Sequence, residues 1–464
     1  MRKRRALKAQ NSKVRGKGVT CNEESAMRNG PNTFKIITLG CKVNQYESAY
    51  LEEGLEDAGW RVAGSDETAD VVIVNTCIVT QRAAHQSRQA IRKAIRESPG
   101  GYVAAVGCYA QVFPRELSEI EGLGLIADNR MKASVLDFLV RGDASPQTAL
   151  LLKSFEPGDR FDAMEIHRFP GRARAYLKIQ DGCESFCSYC IVPFARGPYR
   201  SLAPERVLTM LETLSKQGYR EVVLTGIHLG KYGKDLEGDV DLVSLLRQTG
   251  REGFPLRIRI SSIEPNEVKM ELIEMAASEP WLCRHLHIPL QSGDDRILQK
   301  MNRGYTVREF SNTIEAVYTR IPLAAIGVDI MAGFPGEDST AYENSYSLLE
   351  DLPISYLHVF PFSPRSGTAA SRFKGGVAPE EIKRRAARLR ALGDLKRLLF
   401  FHGCLNREFT VLAEKWESLE IGLMQGRSDN YLPTVFPLSP YSVEGPFRVR
   451  MERVEGRRVI GAVV

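Results

Sequence analysis

The sequence has no apolar run long enough to cross a lipid bilayer. No stretch of roughly 18 or more apolar residues occurs in the chain, so we expect no membrane span. The N-terminus is charged and lacks the apolar segment of a signal peptide, which predicts a cytoplasmic protein. At about 150 residues per domain, the length of 464 residues predicts two to four domains.

Acidic side chains are absent from the first 18 residues, which carry eight Lys or Arg residues. The whole chain has a formal net charge of +6, and subtracting those eight charges leaves −2 for the remainder. The basic character therefore belongs to a tail and not to the folded part. We predict that residues 1–31 form a disordered basic tail, which is either merely solvated or contacts RNA non-specifically.

Disulfide bonds are not expected either, because the cytoplasm keeps thiols reduced. The chain has nine cysteines, an odd number, and in a reducing compartment clustered cysteines are better interpreted as metal ligands or redox groups. Cys21, Cys283 and Cys404 have no ligand-like spacing, so we expect buried or free thiols there. The other six cysteines form two sets of three.

Apolar runs and helical patterns alternate over residues 32–145. Three runs are predicted strands: Phe34–Leu39, Val71–Val74 and Tyr102–Val106. Because helical stretches separate them, this order predicts a parallel α/β sheet domain. Residues 146–168 have weak periodicity and many turn-forming residues, which predicts a linker.

A second α/β region, residues 169–400, alternates six strands with helices and predicts a (β/α)6 partial barrel of TIM type. The predicted strands are Ala175–Ile179, Glu221–Thr225, Leu256–Ser261, Leu286–Ile288, Ala325–Met331 and Tyr356–Phe360. A basic helical stretch, Pro379–Phe401, ends this region. Residues 401–464 contain short alternating runs separated by Gly and Pro, which predicts a small β-barrel of the oligonucleotide-binding (OB) type. The predicted fold class is therefore α/β with an all-β C-terminal domain.

The first set of cysteines is Cys183, Cys187 and Cys190, directly after the first predicted barrel strand. In α/β barrels the C-terminal ends of the strands carry the active site. Three thiolates on one loop can bind three irons of a cubane and leave the fourth iron open, as a catalytic cluster requires. A structural zinc site needs four ligands, and no fourth Cys or His lies nearby in sequence. The alternatives are a zinc site completed by a distant residue, or chance spacing.

The second set is Cys41, Cys77 and Cys108, each of which directly follows a predicted strand. The carboxyl ends of parallel strands meet at one edge of a sheet, where open α/β sheets bind ligands. Gly40 and Gly107 would let the backbone bend tightly at this edge. One cysteine in such a place is usually a small buried residue. Three at matching positions predict a second open cluster.

The spacing Cys-x3-Cys-x2-Cys on the first loop of a β/α barrel resembles the radical S-adenosylmethionine (SAM) superfamily. The segments around the second set, with the run Cys190–Gly197, resemble the methylthiotransferases within it. The matching segments are Gly40–Ser48, Asn75–Val79, Gly107–Gln111, Leu224–Gly226, Ser261–Pro265, His287–Gly293 and Gly333–Glu337. The resemblance covers roughly residues 33–464. It implies three domains in family order: a methylthiotransferase N-terminal domain, a radical SAM core and a C-terminal, RNA-binding TRAM domain.

The resemblance implies two 4Fe–4S clusters, one on each set of cysteines, with SAM bound to the open iron of the first. In the family, the aromatic residue before the last cysteine lies by the adenine of SAM, which implies that role for Tyr189. Gly226 either leaves room for the cofactor or is a simple turn glycine. Glu264 and Asp329 either hydrogen-bond the cofactor or are structural polar groups.

The sequence motifs Gly40–Asn44 and Ala195–Gly197 are most similar to those of the MtaB branch of the family. That branch adds a methylthio group to carbon 2 of N6-threonylcarbamoyladenosine, next to the tRNA anticodon. The implied partners are a tRNA anticodon stem-loop, whose single-stranded bases can be splayed into a cavity, and a flavodoxin- or ferredoxin-type electron donor, with the sulfur donor left open. The alternatives are isopentenyladenosine in tRNA, an aspartate of ribosomal protein S12, or a non-catalytic iron–sulfur or zinc protein that binds RNA.

Overall fold

The computed structural model describes residues 32–143, 147–156, 158–420, 422–439 and 445–464. The predicted basic tail at residues 1–31, which includes Cys21, lies outside them. Within the described ranges, no helix combines the length and the apolar character that a membrane span requires.

The N-terminal domain is built on a six-stranded parallel sheet with the strand order β2-β1-β3-β4-β5-β6. Its strands are β1 (Thr33–Thr38), β2 (Arg61–Val62), β3 (Val71–Thr76), β4 (Tyr102–Gly107), β5 (Leu125–Ala127) and β6 (Ala149–Leu151). Its helices are α1 (Lys42–Asp57), α2 (Gln81–Glu97), α3 (Cys108–Val112), α4 (Pro114–Ser118) and α5 (Ser134–Arg141). Every residue of β3 is buried, as expected for a central parallel strand covered on both faces.

The sheet has twice the three strands predicted from sequence. The additional strands β2, β5 and β6 have two or three residues each, too few for a periodic pattern to stand out. The strand β6 falls inside the range 146–168 that was predicted to be a linker. Because Ala149–Leu151 pairs with β5, the N-terminal sheet extends into the first part of that range.

The central region has eight strands: β7 (Ala175–Lys178), β8 (Gln180–Asp181), β9 (Arg200–Ser201), β10 (Glu221–Thr225), β11 (Arg257–Ile260), β12 (His285–His287), β13 (Ala325–Ala332) and β14 (Tyr356–Pro361). The short strands β8 and β9 pair with each other in an antiparallel ribbon, and the other six are parallel and adjacent in chain order. Two parallel sheets, β7-β10-β11 and β12-β13-β14, are joined by isolated parallel bridges at Ile258–Leu282 and Ser262–His287. Among the described residues, β7 and β14 are the outer strands, so the arrangement is open.

The helices of this region are α6 (Val192–Arg196), α7 (Pro204–Lys216), α8 (Leu242–Glu252), α9 (Met270–Ser278), α10 (Asp295–Lys300), α11 (Val307–Arg320), α12 (Ser339–Asp351) and α13 (Pro379–Gly403). The short helix α6 contacts α3 of the N-terminal domain, whereas the longer helices between the strands pack against the strand arc. Alternation within a strand sorts the side chains: Val222 and Leu224 belong to the apolar core beneath the helices, whereas Glu221 is buried with Arg259 on the inner face. The interior of the strand arc is therefore polar.

The C-terminal domain is a closed five-stranded barrel with the order β15-β16-β17-β19-β18. Its strands are β15 (Glu408–Ser418), β16 (Leu423–Ser428), β17 (Pro433–Pro437), β18 (Pro446–Glu455) and β19 (Arg458–Val463). Two inward arginines of β11 hold it against the central region: Arg257 donates to the carbonyl of Thr410 at 2.7 Å, and Arg259 to that of Ser428 at 3.0 Å. The N-terminal domain meets the central region where α1 packs against β7.

Candidate active site

The first set of cysteines lies on a tight loop at the C-terminal end of β7 and β8. Gly182 begins the loop with φ of +79°, and a Cβ there would come within 1.7 Å of the carbonyl oxygen of Pro198, so only glycine fits. The amide of Cys183 donates to Gly197 at 2.9 Å, and that of Cys190 to Cys187 at 2.9 Å. All three thiols are half-buried and free.

Two side chains that the sequence analysis did not assign contact these thiols. His228, in the loop after β10, has its Nδ1 3.4 Å from the Sγ of Cys183, and its Nε2 is 2.9 Å from Glu267. Partial burial opposes ionisation of Cys183, but the hydrogen bond with His228 lowers the pKa of this thiol below its usual value. Arg303 donates to the Sγ of Cys187 at 3.3 Å. Burial raises the pKa of the Cys187 thiol, and the neighbouring Arg303 offsets part of that effect. Each of the two side chains thus acts in favour of the thiolate form that a metal requires.

The second set of cysteines is brought together at the carboxyl edge of the N-terminal sheet. The loops that carry Cys41 and Cys77 are in direct contact, because a Cβ on Gly40 would lie 2.8 Å from the Sγ of Cys77. Gly107 has φ of +99° and places Cys108 at the start of α3. Cys77 and Cys108 are buried and Cys41 is exposed, so the set faces outward on one side only.

Neither set has the tight geometry of a single zinc ion. Among the described residues, His287, Asp329 and His358 are the one group of three potential ligand atoms within 4.8 Å of one another. Sulfurs around one tetrahedral zinc ion lie about 3.8 Å apart, since each Zn–S bond is about 2.3 Å. In each set of cysteines the three Sγ atoms do not all lie within 4.8 Å of one another, so neither set has the spacing of three ligands to one zinc ion.

Helix α6 connects the two sets of cysteines. It begins two residues after Cys190 and ends at Arg196, whose Nε donates to the Sγ of Cys108 at 3.3 Å. Asn129 of the N-terminal domain donates to Cys108 at 3.5 Å and to the carbonyl of Ala195 at 2.7 Å. Both sets therefore lie at the same interface between the N-terminal domain and the central region, and the one short helix α6 links them.

A buried group of charges surrounds Arg196. Its members are Glu47, Lys132, Lys178, Asp181, Arg196 and Arg200, all less than 9% exposed. Arg196 contacts Glu47 at 2.5 Å, Lys178 contacts it at 3.1 Å, and Lys132 is hydrogen-bonded to it. Although burial opposes ionisation, these cations hold the pKa of Glu47 well below its usual value. Four basic side chains face two carboxylates, so basic groups outnumber acidic ones beside the second set. Burial lowers the pKa of one of them, Lys132.

Two of the residues predicted to contact the cofactor lie next to the first set. Tyr189 is half-buried, with its ring edge-on to Phe334 at 6.4 Å. Glu264 pairs with Arg303, the arginine that contacts Cys187. A cavity of about 290 Å³ opens here, lined among others by Cys187, Glu264 and Arg303.

The other two predicted cofactor residues have protein partners. A Cβ on Gly226 would lie 2.9 Å from the side chain of Gln180, so this glycine lets the end of β10 approach β8 closely. Asp329 lies inside the strand arc, 2.8 Å from His287 and 3.3 Å from His358. No contact of these two residues with the first set of cysteines was found among the described residues.

The remaining described cysteines are buried, as expected. Cys283 and Cys404 are 2% and 0% exposed, and burial raises the pKa of each thiol to about 12. The sequence pattern gave no indication that His228 and Arg303 contact thiols of the first set, or that Arg196 contacts a thiol of the second. Arg196 was noted only as part of the motif Ala195–Gly197, which supported the family resemblance, and no role was predicted for it.

Family models match both halves of this site. The model described as "Uncharacterized protein family UPF0004" matches residues 33–126, which hold the second set of cysteines. The radical SAM superfamily model matches residues 177–349, which hold the first set. The fold and the match together define a radical SAM enzyme preceded by a separate α/β domain.

Similar proteins narrow this class. The chain is 36% identical to the threonylcarbamoyladenosine tRNA methylthiotransferase MtaB of Bacillus subtilis (strain 168), over 87% of this chain and 90% of that protein. It is 36% identical to the protein of the same name from Aquifex aeolicus, over 81% and 91%. It is 33% identical to the tRNA-2-methylthio-N(6)-dimethylallyladenosine synthase of Chlorobium phaeovibrioides, over 87% and 90%. The chain belongs to the radical SAM methylthiotransferase family.

The fold is shared more widely. The radical SAM methyltransferase TsrM of Kitasatospora setae superposes with a TM-score of 0.52 at 17% identity, over 72% of this chain and 75% of that chain. The predicted α/β fold class, with its radical SAM core and β-barrel C-terminus, is confirmed. As a member of its family the protein is an enzyme whose cofactors are SAM and 4Fe–4S clusters.

Proposed function

We propose that this enzyme transfers a methylthio group to carbon 2 of N6-threonylcarbamoyladenosine in tRNA. The observation that carries the proposal is the single interface that holds both sets of cysteines, with Arg196 connecting them. Two relatives named for this nucleoside are 36% identical to the chain, whereas three relatives named for the dimethylallyl nucleoside are each 33% identical.

We assign one 4Fe–4S cluster to Cys183, Cys187 and Cys190, and a second to Cys41, Cys77 and Cys108. The spacing of both sets, which differs from that of three ligands to one zinc ion, supports this assignment, as does the excess of buried basic groups beside the second set, because a thiolate-bound cluster is anionic. When bound, the clusters and SAM would supply the radical chemistry that replaces an unactivated aromatic hydrogen by sulfur. The role of the chain is to position these groups and to exclude water.

The cavity beside Cys187 is the proposed site of SAM. Tyr189 and Glu264 border the first set, and both contact Arg303, which would fix the orientation of the carboxylate of Glu264. Gly226 would act here through its close approach to Gln180. Asp329 would act from deeper in the strand arc, where it orients His287 and His358.

The proposal also includes the partners and the compartment. The anticodon loop of tRNA would present the target base, since unpaired bases can be splayed into a cavity. The described cysteines are all free thiols, which suits the cytoplasm. The reductant would be a protein of flavodoxin or ferredoxin type.

Nucleoside analysis tests the proposal. A deletion strain would be complemented with the wild-type chain, with Cys183→Ala, or with Cys283→Ala as a matched control at a buried thiol outside both sets. Mass spectrometry of digested tRNA should show 2-methylthio-threonylcarbamoyladenosine with the wild type and the control, and none with Cys183→Ala. Loss of the 2-methylthio-dimethylallyl nucleoside instead would assign the second substrate. Unchanged methylthio-nucleosides in the deletion strain would refute a tRNA substrate.

A further inference from the structure

A basic groove lies between strand β14, helix α13 and the C-terminal barrel. Two adjoining cavities of about 300 and 380 Å³ form it, and His358, Arg397 and Arg457 line both. Arg427 of β16 closes one end and Arg390 of α13 the other. The groove is therefore built by the central region and the C-terminal domain together.

Positive charge exceeds negative charge in this groove. Four arginines line it, and the one acidic residue among its lining residues is Asp394, which pairs with Arg397 at 2.8 Å and Arg457 at 3.2 Å. Arg390 has no carboxylate partner among the described residues. Arg448 and Arg450 of the barrel likewise share one carboxylate, that of Glu408, but they are not among the lining residues of the groove. What distinguishes the groove is that four arginines line the same two adjoining cavities.

Aromatic rings alternate with these cations. Tyr356, Phe400 and Tyr431 line the first cavity and Phe360 the second. Phe360 is 42% exposed although it lies on a strand of the central region. Cations that follow a backbone and aromatic faces on which bases stack are the two features of sites for single-stranded nucleic acid.

The groove follows strand β14 in the direction of the proposed active site. β14 is an outer strand of the open arc, and its side chain His358 pairs with Asp329 on the inner face of β13. The strands β13 and β14 are parallel to β7, so their carboxyl ends point to the edge that carries the first set of cysteines. A chain that follows β14 would reach that edge.

We propose that this groove binds the single-stranded part of the anticodon loop next to the target nucleotide, by phosphate contacts and base stacking. The inference rests on the proposed function. It assigns RNA binding to β14, α13 and the C-terminal barrel together, whereas the sequence predicted RNA contacts for the barrel and, as one alternative, for the basic tail. Because phosphates and ring faces occur in every sequence, the groove positions the loop without reading its bases.

Binding of an anticodon stem-loop tests this. The reconstituted holoenzyme would be titrated into a fluorescein-labelled stem-loop that contains threonylcarbamoyladenosine, at several salt concentrations. The double variant Arg390→Gln/Arg457→Gln should raise Kd roughly tenfold and reduce the salt slope by about 1.4, at about 0.7 per phosphate contact. Phe360→Ala should raise Kd with an unchanged slope, because stacking releases no ions.

The matched control is Arg448→Gln/Arg450→Gln, which removes the same two positive charges from exposed residues of the C-terminal barrel outside the groove. We expect less than about a twofold change in its Kd, because neither arginine lines the groove and exposed ion pairs such as theirs contribute little. If the two double variants raise Kd equally, or if neither changes it, the groove is not the RNA-binding surface. The proposed function would still stand in that case, provided that the wild-type enzyme binds the stem-loop. Absence of wild-type binding would contradict both. The double variant Arg390→Gln/Arg457→Gln could instead bind RNA as tightly as the wild type but be reduced more slowly by an acidic flavodoxin. That result would assign the groove to the electron donor and refute its role in RNA binding.

Discussion

The two sets of cysteines differ in how the chain assembles them. Cys183, Cys187 and Cys190 lie within eight residues on one loop, whose turn depends on Gly182. Cys41, Cys77 and Cys108 follow three separate strands and meet only because those strands are parallel neighbours. The first set is thus a property of a local segment, and the second is a property of a folded sheet.

Their surroundings differ in the same sense. The first set is half-buried, and single side chains from separate loops, His228 and Arg303, contact its thiols. The second set is supported by a buried charge group that spans two domains, with Arg196 between Cys108 and Glu47. We therefore expect substitutions near the first set to affect only that loop, and substitutions near the second set to destabilise the interface between the two domains.

The largest expected effect comes from removing one ligand from each set. Cys183→Ala and Cys77→Ala should each lower the iron content from about eight to about four per chain, because each leaves the other cubane intact. Neither variant should form the methylthio-nucleoside. Iron analysis of the anaerobically purified proteins measures this, with Cys404→Ala as the control that keeps about eight. Loss of all iron in either variant would mean that the two sets are not independent.

The next effect concerns the interface. Arg196→Gln should destabilise the protein by about 3 kcal/mol, since it leaves buried Glu47 and Asp181 with fewer cations. Urea unfolding of the apoprotein measures the change in the free energy of unfolding. Arg206→Gln is the control, because its pair with Glu165 is about half exposed on both sides and contributes at most about 1 kcal/mol. Equal losses in the two variants would contradict the importance of the buried group.

The smallest effect separates the two sets by thiol chemistry. In the apoprotein, burial raises the pKa of Cys77 to about 11, whereas the hydrogen bond with His228 lowers that of Cys183. Thiolates react and thiols do not, and thiolate forms as pH rises through the pKa, so iodoacetamide should label Cys183 before Cys77 at pH near 8. Peptide mass spectrometry after timed alkylation measures the order. His228→Gln should slow labelling of Cys183 alone, and an unchanged rate would exclude the hydrogen bond as its cause.

Much of the fold could be predicted from the sequence because its long strands are periodic or continuously apolar. The predicted strand Glu221–Thr225 agrees with β10 residue for residue, and the predicted Tyr102–Val106 is one residue shorter than β4. The short strands β2, β5 and β6 carry no such signal, since their two or three residues are held by pairing with longer neighbours. The six candidate ligands could be named for the same reason: they follow strands or share one loop.

The sequence by itself determined the residue types and their places at strand ends, because strand pattern and cysteine spacing are local properties. Only the tertiary structure decided which side chains support them. Arg196 and Lys132 contact groups 85 or more residues away in sequence, and Arg303 reaches Cys187 across 116 residues. Burial turns these distant contacts into strong ones, because charges removed from water must find partners within the fold.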